Sequence, residues 1–245
     1  MKRTLIILAT VIFVLPLTAW MHTSGSNISN NQPAIIRKNS RTWKKEISDL
    51  PIIKSDGLGD SGGYIAQSMQ QLKSVNDSVI NGTVYSLERM ESSKNLAFTR
   101  ATVHVDKVIS GDKELKGKNI QMVLNSGITS ASCWYADKNQ TREADHDILV
   151  QYSEFPLPEI GSKIILGISS EVKNETTPYN EGLKQSGLHL KKSYIVNMPE
   201  FNLWIKDSKD RKYRLNNPKA NEKLKANKEM KRKITKLTDE LNQKY

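Results

Sequence analysis

Cysteine is almost absent from this sequence, since Cys133 is the one cysteine in 245 residues. A single thiol excludes an internal disulfide framework and any zinc site of the finger or ribbon type. Hydrophobic residues make up 37% of the chain, which excludes a protein with many membrane spans. Positive charge is abundant, with 37 Lys and Arg against 26 Asp and Glu and a net charge of +11. This balance excludes a fully disordered acidic chain.

The first 22 residues predict export across a membrane. Lys2 and Arg3 precede an apolar run over residues 5–20. As a helix, this run is about 24 Å long, which is short of the ~30 Å hydrocarbon core of a bilayer. Residues 1–22 therefore fit either a cleaved signal peptide or an uncleaved N-terminal membrane anchor. No cysteine follows the run, which excludes a lipidated cysteine at a new N-terminus.

Export with a single thiol indicates a bacterial protein. Eukaryotic secreted domains of this size usually carry disulfides, because their compartment is oxidising. The abundance of Lys and Asn is typical of an AT-rich genome and favours a Gram-positive source. We therefore predict an extracytoplasmic protein that is secreted or held at the cell membrane by its N-terminal segment.

Composition divides the rest of the chain into three parts. Residues 23–63 are rich in Ser, Asn, Gly and basic residues, which predicts a flexible stalk and loop. Residues 64–217 are predicted to form the folded domain, led by a short helix over 64–74 whose apolar residues are spaced by four and three. Residues 218–245 lack Gly and contain Pro only at their first position, which favours a terminal helix.

Alternation of apolar and polar residues predicts that the central domain is mainly β. Residues 78–125 contain three alternating runs at short intervals, which is typical of an antiparallel meander. Further strands are predicted at 162–169, 188–196, 201–206 and 211–215. Six or seven short strands indicate a small antiparallel barrel or sandwich. Residues 126–159 interrupt the pattern and are predicted to include a mobile excursion.

A succession of short motifs in this domain resembles a known group of proteins. The motifs lie at 78–84, 98–99, 102–108, 111–112, 117–120 and 160–166. They are similar to those of uncharacterised exported small β-barrel proteins of Gram-positive bacteria. The resemblance implies an OB-like barrel, and it carries no catalytic residue to this chain. Lys163 and Ile164 stand where that group has an aromatic position, which weakens the register of the fourth strand.

The terminal segment predicts an amphipathic basic helix. An apolar stripe is formed by Met230, Ile234, Leu237 and Leu241, with nine basic and four acidic residues around it, a net charge of +5. Such a helix fits a solvated face packed on the barrel, contact with an anionic surface, or a coiled coil with a partner. For the second of these, the candidate binding residues are Lys223, Lys231, Arg232, Lys233 and Lys236.

Two aromatic residues in the interruption are further binding candidates. Trp134 and Tyr135, with Tyr179 and Trp204, would line a ligand surface at a loop-bearing end of a barrel. The favoured alternative places Trp204 in the core and makes Trp134 a cap on the barrel end.

The motifs that resemble enzyme sites lack the surrounding residues and elements that those sites need. Residues 59–63 reproduce the pentapeptide around a protease serine, but His22 is the only upstream histidine and no barrel precedes Ser61. Residues 57–62 match G-x-G-x-x-G without the parallel βαβ unit that a dinucleotide site needs. Cys133, Glu143, Asp145, His146 and Asp147 have metal-ligating side chains, but their composition is typical of a surface loop. No catalytic residue, metal ligand or cofactor is predicted.

These features together predict a non-enzymatic binding or accessory module at the bacterial cell envelope. The expected partners are anionic lipid, a wall polymer or another envelope protein, and specific nucleic-acid binding is not expected. The alternative is a secreted hydrolase such as an OB-type nuclease. That alternative needs clustered acids and arginines on the barrel, where arginines, such as Arg89, Arg100 and Arg142, are sparse.

Overall fold

Short strands joined by helical turns build the fold, and the prediction of a mainly β protein is confirmed. The computed structural model describes residues 32–56, 64–137, 145–169, 178–187, 193–207 and 209–245. The strands of this part are β1 (Ile52–Ser55), β2 (Ser78–Arg89), β3 (Phe98–Ser110), β4 (Asn119–Asn125), β5 (Gly127–Ser130), β6 (Asp147–Tyr152), β7 (Lys163–Ile168), β8 (Ser193–Ile195), β9 (Leu203–Lys206) and β10 (Arg214–Leu215). The α-helices are α1 (Gln32–Ile47), α2 (Met69–Ser74), α3 (Ala131–Trp134), α4 (Pro178–Gln185), α5 (Pro199–Asn202), α6 (Ala220–Lys223) and α7 (Lys228–Lys244), and Lys113–Leu115 form a 3-10 turn.

Seven strands form the main sheet in the order β10-β9-β7-β2-β3-β4-β8. All neighbours are antiparallel except β4 and β8, which run parallel. Irregular register between β2 and β3, where several residues are skipped, increases the local twist of the sheet. One isolated antiparallel bridge joins Ser169, after β7, to Ile195 of β8. The strand pairing gives an open sheet, so it does not confirm the predicted barrel closure or the OB-like identity.

A second sheet has three strands in the order β1-β6-β5, with β1 parallel and β5 antiparallel to β6. The sequence prediction of a flexible stalk and loop over residues 23–63 is therefore wrong for β1. The predicted mobile excursion at 126–159 is wrong for β5, α3 and β6. Ile148, Leu149 and Val150 explain the error, because all three are buried. A strand buried on both faces shows no alternation of apolar and polar residues.

Helix α1 lies where the sequence predicted a flexible stalk, and that interpretation is wrong for residues 32–47. Trp43 anchors the helix, since it is 7% exposed and belongs to the main apolar core. Ile47, one turn later, packs against the same core. A few large apolar residues on one face are enough to dock a helix that is otherwise rich in basic and polar residues.

The main sheet separates two apolar clusters. Its inner face carries the largest cluster, which includes Val84, Val103 and Leu166. Its outer face carries a second cluster, in which Trp204 packs with α2 and α7. The fit is close at Gly167 on β7, where an added Cβ would lie 2.2 Å from the side chain of Asn76. The outer face is therefore the surface on which α2 and α7 are positioned.

The helices that flank the domain were predicted with small errors of extent. The leading helix was expected from residue 64 but begins at Met69, because Ser68 caps it by accepting a hydrogen bond from the Gln71 amide at 3.2 Å. The C-terminal helix is confirmed, but it is divided into α6 and α7 by a turn before Asn227. No helix within the described ranges has both the length and the apolar character to span a membrane. The predicted export segment, residues 1–22, lies outside the described residues.

Candidate functional site

Helix α7 is fixed to the outer face of the main sheet by an apolar stripe. Ile234, Leu237 and Leu241 are 5%, 1% and 0% exposed, as the spacing of four and three residues predicted. The helix begins cleanly because the side chain of Asn227 accepts a hydrogen bond of 3.0 Å from the amide of Met230. With its apolar side covered in this way, α7 turns its basic residues toward solvent.

We call the solvent-facing cations of α7 the basic face, and it consists of Lys228, Lys231, Arg232 and Lys236. All four are exposed, and within the described residues none of them forms an ion pair. Lys233 differs, since its ammonium lies 2.9 Å from the Glu229 carboxylate. That ammonium lowers the pKa of Glu229 below its ordinary value. Asp239 lies among these cations and Arg232 helps to lower the pKa of Glu229, but no described carboxylate forms an ion pair with any of the four.

The basic face is unfavourable for the helix that carries it. Lys228, Lys231 and Arg232 lie in the first two turns of α7, where the positive end of the helix dipole repels cations. Lys228 and Arg232 are also four residues apart, as are Arg232 and Lys236, and like charges at this spacing repel each other. The local field is therefore strongly positive, and an anion placed against it would relieve both kinds of repulsion.

A groove between α2 and α7 adjoins the basic face, and we call it the α2–α7 groove. Its volume is about 390 Å³. It is lined by Gln67, Ser68, Gln71, Arg232, Lys233, Lys236, Leu237 and Glu240. Three of the five basic residues predicted as binding residues, Arg232, Lys233 and Lys236, thus face polar side chains of α2 across one groove. A volume of this order is within the range of small-ligand sites.

Lys223, another predicted binding residue, is committed to a structural ion pair. It lies on α6, and its ammonium is bound to the carboxylate of Glu154, which is 7% exposed. The pKa of Glu200 is raised above its ordinary value. Burial is the larger cause, and the negative charge of Glu154 adds to it. Lys223 therefore neutralises a buried acidic pair and does not line the α2–α7 groove.

The predicted aromatic residues contribute to an apolar core rather than to a ligand surface. Trp134 is 4% exposed and belongs to the cluster of Ile148, Val150 and Tyr152 beneath the smaller sheet. Tyr135 is half-buried and packs against the same cluster. Burial in this cluster raises the pKa of Tyr152 to about 12. Trp134 therefore does not line a ligand surface, and the burial of Trp134 and Trp204 agrees with the favoured alternative, in which Trp204 lies in the core.

The acidic residues considered as metal ligands are engaged in other interactions. Asp145 accepts hydrogen bonds from the amide and the hydroxyl of Ser132, at 3.0 and 2.8 Å, and these bonds lower its pKa. Asp147 is paired with Arg89, and the thiol of Cys133 donates to the carbonyl oxygen of Ser92 at 3.2 Å. Glu143 lies outside the described residues. Among those described, no group of three or more His, Cys, Asp or Glu side chains is arranged to hold a metal ion.

A polar cluster on the outer face of the main sheet was not predicted from the sequence. Lys163 donates to Thr83 at 2.7 Å and to Asp106 at 2.9 Å, and Thr83 donates to Asp106 at 2.8 Å. Thr83 pairs directly with Lys163 across β2 and β7, so the register of the sheet creates the contact. Thr83 is 4% exposed, which removes its hydroxyl from the reach of a substrate. The cluster joins three neighbouring strands.

Comparison with known proteins adds no assignment to this geometry. No protein-family model matches the chain, and no curated protein matches it. The candidate site therefore rests on the basic face and the α2–α7 groove. Gln67, Ser68, Gln71, Lys228 and Glu240 are the parts of it that sequence reasoning missed. The polar side of the helix predicted over residues 64–74 was the signal that could have indicated the first three.

Proposed function

We propose that this protein is a non-enzymatic binding module of the bacterial cell envelope, which holds anionic polymers against α7. The observation that carries the proposal is the basic face, four exposed cations without carboxylate partners in the described part of the chain. Cations left unpaired at the positive end of a helix attract phosphate-bearing chains over a distance set by the ionic strength. The net charge of +11 adds a long-range attraction of the same sign.

The envelope location is part of the proposal and rests on the sequence of residues 1–22. Lys2 and Arg3 before an apolar run are typical of export, and the positive flank of such a segment stays in the cytoplasm. In a Gram-positive host, we expect the protein in the medium, or at the membrane and open to protease added outside the cells. Mass spectrometry of the recovered N-terminus would distinguish cleavage from anchoring. Retention in the cytoplasm would contradict this location.

We also propose that part of the main sheet is OB-like. The order β7-β2-β3-β4-β8, with β4 and β8 parallel, is supplemented by the bridge between Ser169 and Ile195. A five-stranded Greek-key barrel that is partly open has this kind of arrangement. Such a barrel would be a compact support for α7. Strands β9 and β10 extend the sheet beyond β7.

The function is tested by binding of the full chain to inorganic polyphosphate at several salt concentrations. We expect the variant K231Q/R232Q/K236Q to bind more weakly, with a slope of log K against log[salt] reduced by about two. Removal of α6 and α7 is unsuitable as a test, because Leu237 and Leu241 belong to the folded core.

A matched control is available on the turn before β4. Lys113, Lys116 and Lys118 are exposed, and K113Q/K116Q/K118Q removes the same number of charges. If the control weakens binding as much as the α7 variant, the attraction comes from net charge alone. In that case, or if the wild-type protein does not bind polyphosphate, the basic face is not the binding surface.

A further inference from the structure

We propose that the α2–α7 groove binds a polymer of polyol units joined by phosphodiesters, an inference that rests on the proposed polyanion binding and narrows it. The groove differs from the basic face in its chemistry. Thr235 and Asp239 lie among the cations of the basic face, whereas the groove places its cations opposite the amides of Gln67 and Gln71 and the hydroxyl of Ser68, with the carboxylate of Glu240 beside them. A ligand that fills it must therefore offer both anionic oxygens and hydroxyl groups.

Donors for phosphate oxygens lie on both walls of the groove. Arg232 and Lys236 line the groove, and no ion pair engages either of them within the described residues. On the opposite wall, the side-chain oxygen of Gln71 accepts a hydrogen bond of 2.8 Å from the amide of Gln67. The NH2 group of Gln71 is thereby left as a donor. Ser68 accepts from the Gln71 amide at 3.2 Å and keeps its hydroxyl proton for donation.

The groove also contains an acceptor for hydroxyl groups. Glu240 lines one end of the groove, and its pairing with Lys244 at 2.6 Å leaves further lone pairs on the carboxylate. A carboxylate repels phosphate but accepts a hydrogen bond from an alcohol. Arg232, Lys236 and Glu240 follow one another at four-residue intervals, about 6 Å apart along the helix axis. The sequence of cation, cation and acceptor suits a chain in which phosphates alternate with hydroxyl-bearing carbons.

Nucleic acid fits this groove less well. Proteins that bind single strands without sequence preference stack the bases on aromatic side chains. Among the described residues that line the α2–α7 groove, none is aromatic. The one apolar lining residue, Leu237, is 1% exposed and offers no surface on which a base could stack. The groove therefore selects against a polymer that carries large apolar groups.

A membrane surface is also disfavoured as the source of the phosphodiester. A helix that binds a bilayer inserts its apolar side between the acyl chains. The apolar side of α7, formed by Ile234, Leu237 and Leu241, is buried in the protein. Glycerol phosphate in a lipid headgroup could meet only the cations, without the insertion that stabilises binding. The occupant of the groove is accordingly a soluble or wall-linked polymer.

The test compares four probes on the full chain at equal phosphate concentration and equal salt. The probes are poly(glycerol phosphate), inorganic polyphosphate, single-stranded DNA, and vesicles that contain phosphatidylglycerol. We expect poly(glycerol phosphate) to bind about tenfold more tightly than polyphosphate, since each hydrogen bond to a charged group adds about that factor. Equal or tighter binding of polyphosphate, DNA or the vesicles would overturn the inference.

A pair of variants tests the groove itself. Gln71→Glu keeps the oxygen that accepts from Gln67 but replaces the donor with a carboxylate oxygen. Gln70→Glu adds the same charge at the exposed neighbouring position of α2. We expect Q71E to lower the affinity for poly(glycerol phosphate) about tenfold, and Q70E to lower it less than about twofold, since exposed charges are screened. Equal losses in both variants would contradict the groove as the binding site without contradicting polyanion binding. If the wild-type chain binds none of the probes, both proposals are wrong.

Discussion

The indole nitrogen of Trp204 donates a hydrogen bond of 2.9 Å to the hydroxyl oxygen of Thr238, which joins β9 to α7. Trp204 is fully buried, so this bond satisfies a donor that would otherwise have no partner in the core. Thr238 in turn donates to the carbonyl oxygen of Ile234 at 2.9 Å, within its own helix. The orientation of α7, and with it the direction of the basic face, is therefore set from the sheet.

Replacing Thr238 by valine should destabilise the protein. The substitution keeps the volume but removes the acceptor for the Trp204 indole, and a buried unsatisfied donor costs about 1–3 kcal/mol. Thr235→Val is the matched control, because Thr235 lies on the exposed side of α7 and also donates within the helix, to Lys231 at 3.0 Å. Denaturant unfolding of both variants measures the difference. Equal loss of unfolding free energy in the two variants would mean that the hydrogen bond between Trp204 and Thr238 has no net value.

Strand β3 was predictable because its residues alternate between buried and half-exposed positions, and strand β6 was not. Val103 and Val105 of β3 are buried, while Thr102 and His104, which alternate with them, are half-exposed, and this alternation was readable in the sequence. β6 has no such contrast, because neighbouring residues face different apolar clusters. The parallel pairing of β1 with β6 joins segments almost a hundred residues apart in the chain, a non-local contact that no local pattern reports.

The candidate site was predictable to the extent that it lies on one helix. The spacing of Leu237 and Leu241 placed Arg232 and Lys236 on the other side of α7, where the structure has them. The facing wall, α2, was predicted as a helix, but nothing in its sequence connected Gln71 to α7. Lys223 had the same appearance as the other basic residues, since its partner Glu154 is brought to it by the tertiary fold.

Gly167→Ala should disturb the contact between β7 and α2. The added Cβ would lie 2.2 Å from the side chain of Asn76, which is 8% exposed and donates to the carbonyl oxygen of Leu72 at 2.8 Å. Overpacking of this kind costs about 1–3 kcal/mol, measurable by denaturant unfolding. Adding Asn76→Ala should recover part of the loss, because it removes the atoms that clash. Strictly additive effects in this double-mutant cycle would show that the clash is relieved in some other way.

Glu200 should make stability depend on pH in the direction opposite to that of most carboxylates. Burial, with a contribution from Glu154, raises its pKa in the folded state above the ordinary value. The folded state therefore holds the proton more tightly than the unfolded state, and unfolding free energy falls as the pH rises from the unfolded-state pKa to the folded-state pKa.

Glu200→Gln carries no charge at any pH and should be more stable than the wild type at pH 7. The difference should disappear below about pH 4, where the carboxyl is protonated in both states. Unfolding free energies measured across this range give the result. Glu159→Gln is the control, because Glu159 is exposed on the turn before β7. A wild type that is more stable than E200Q at neutral pH would mean that the attraction of Lys223 outweighs the burial of Glu200.

The same substitutions that weaken polyanion binding should stabilise the fold. In K231Q/R232Q/K236Q, repulsion between charges four residues apart is removed, together with cations at the positive end of the α7 dipole. At low salt we expect the unfolding free energy to rise by about 1 kcal/mol or less, and at high salt the gain should vanish because the repulsion is screened. The K113Q/K116Q/K118Q control lowers the net charge equally but lies outside any long helix, so its gain should be smaller.

A destabilised α7 variant at low salt would mean that these side chains support the helix through their aliphatic stems. A gain confined to the α7 variant would instead show that the fold carries a cost at this position, which a bound anion would relieve.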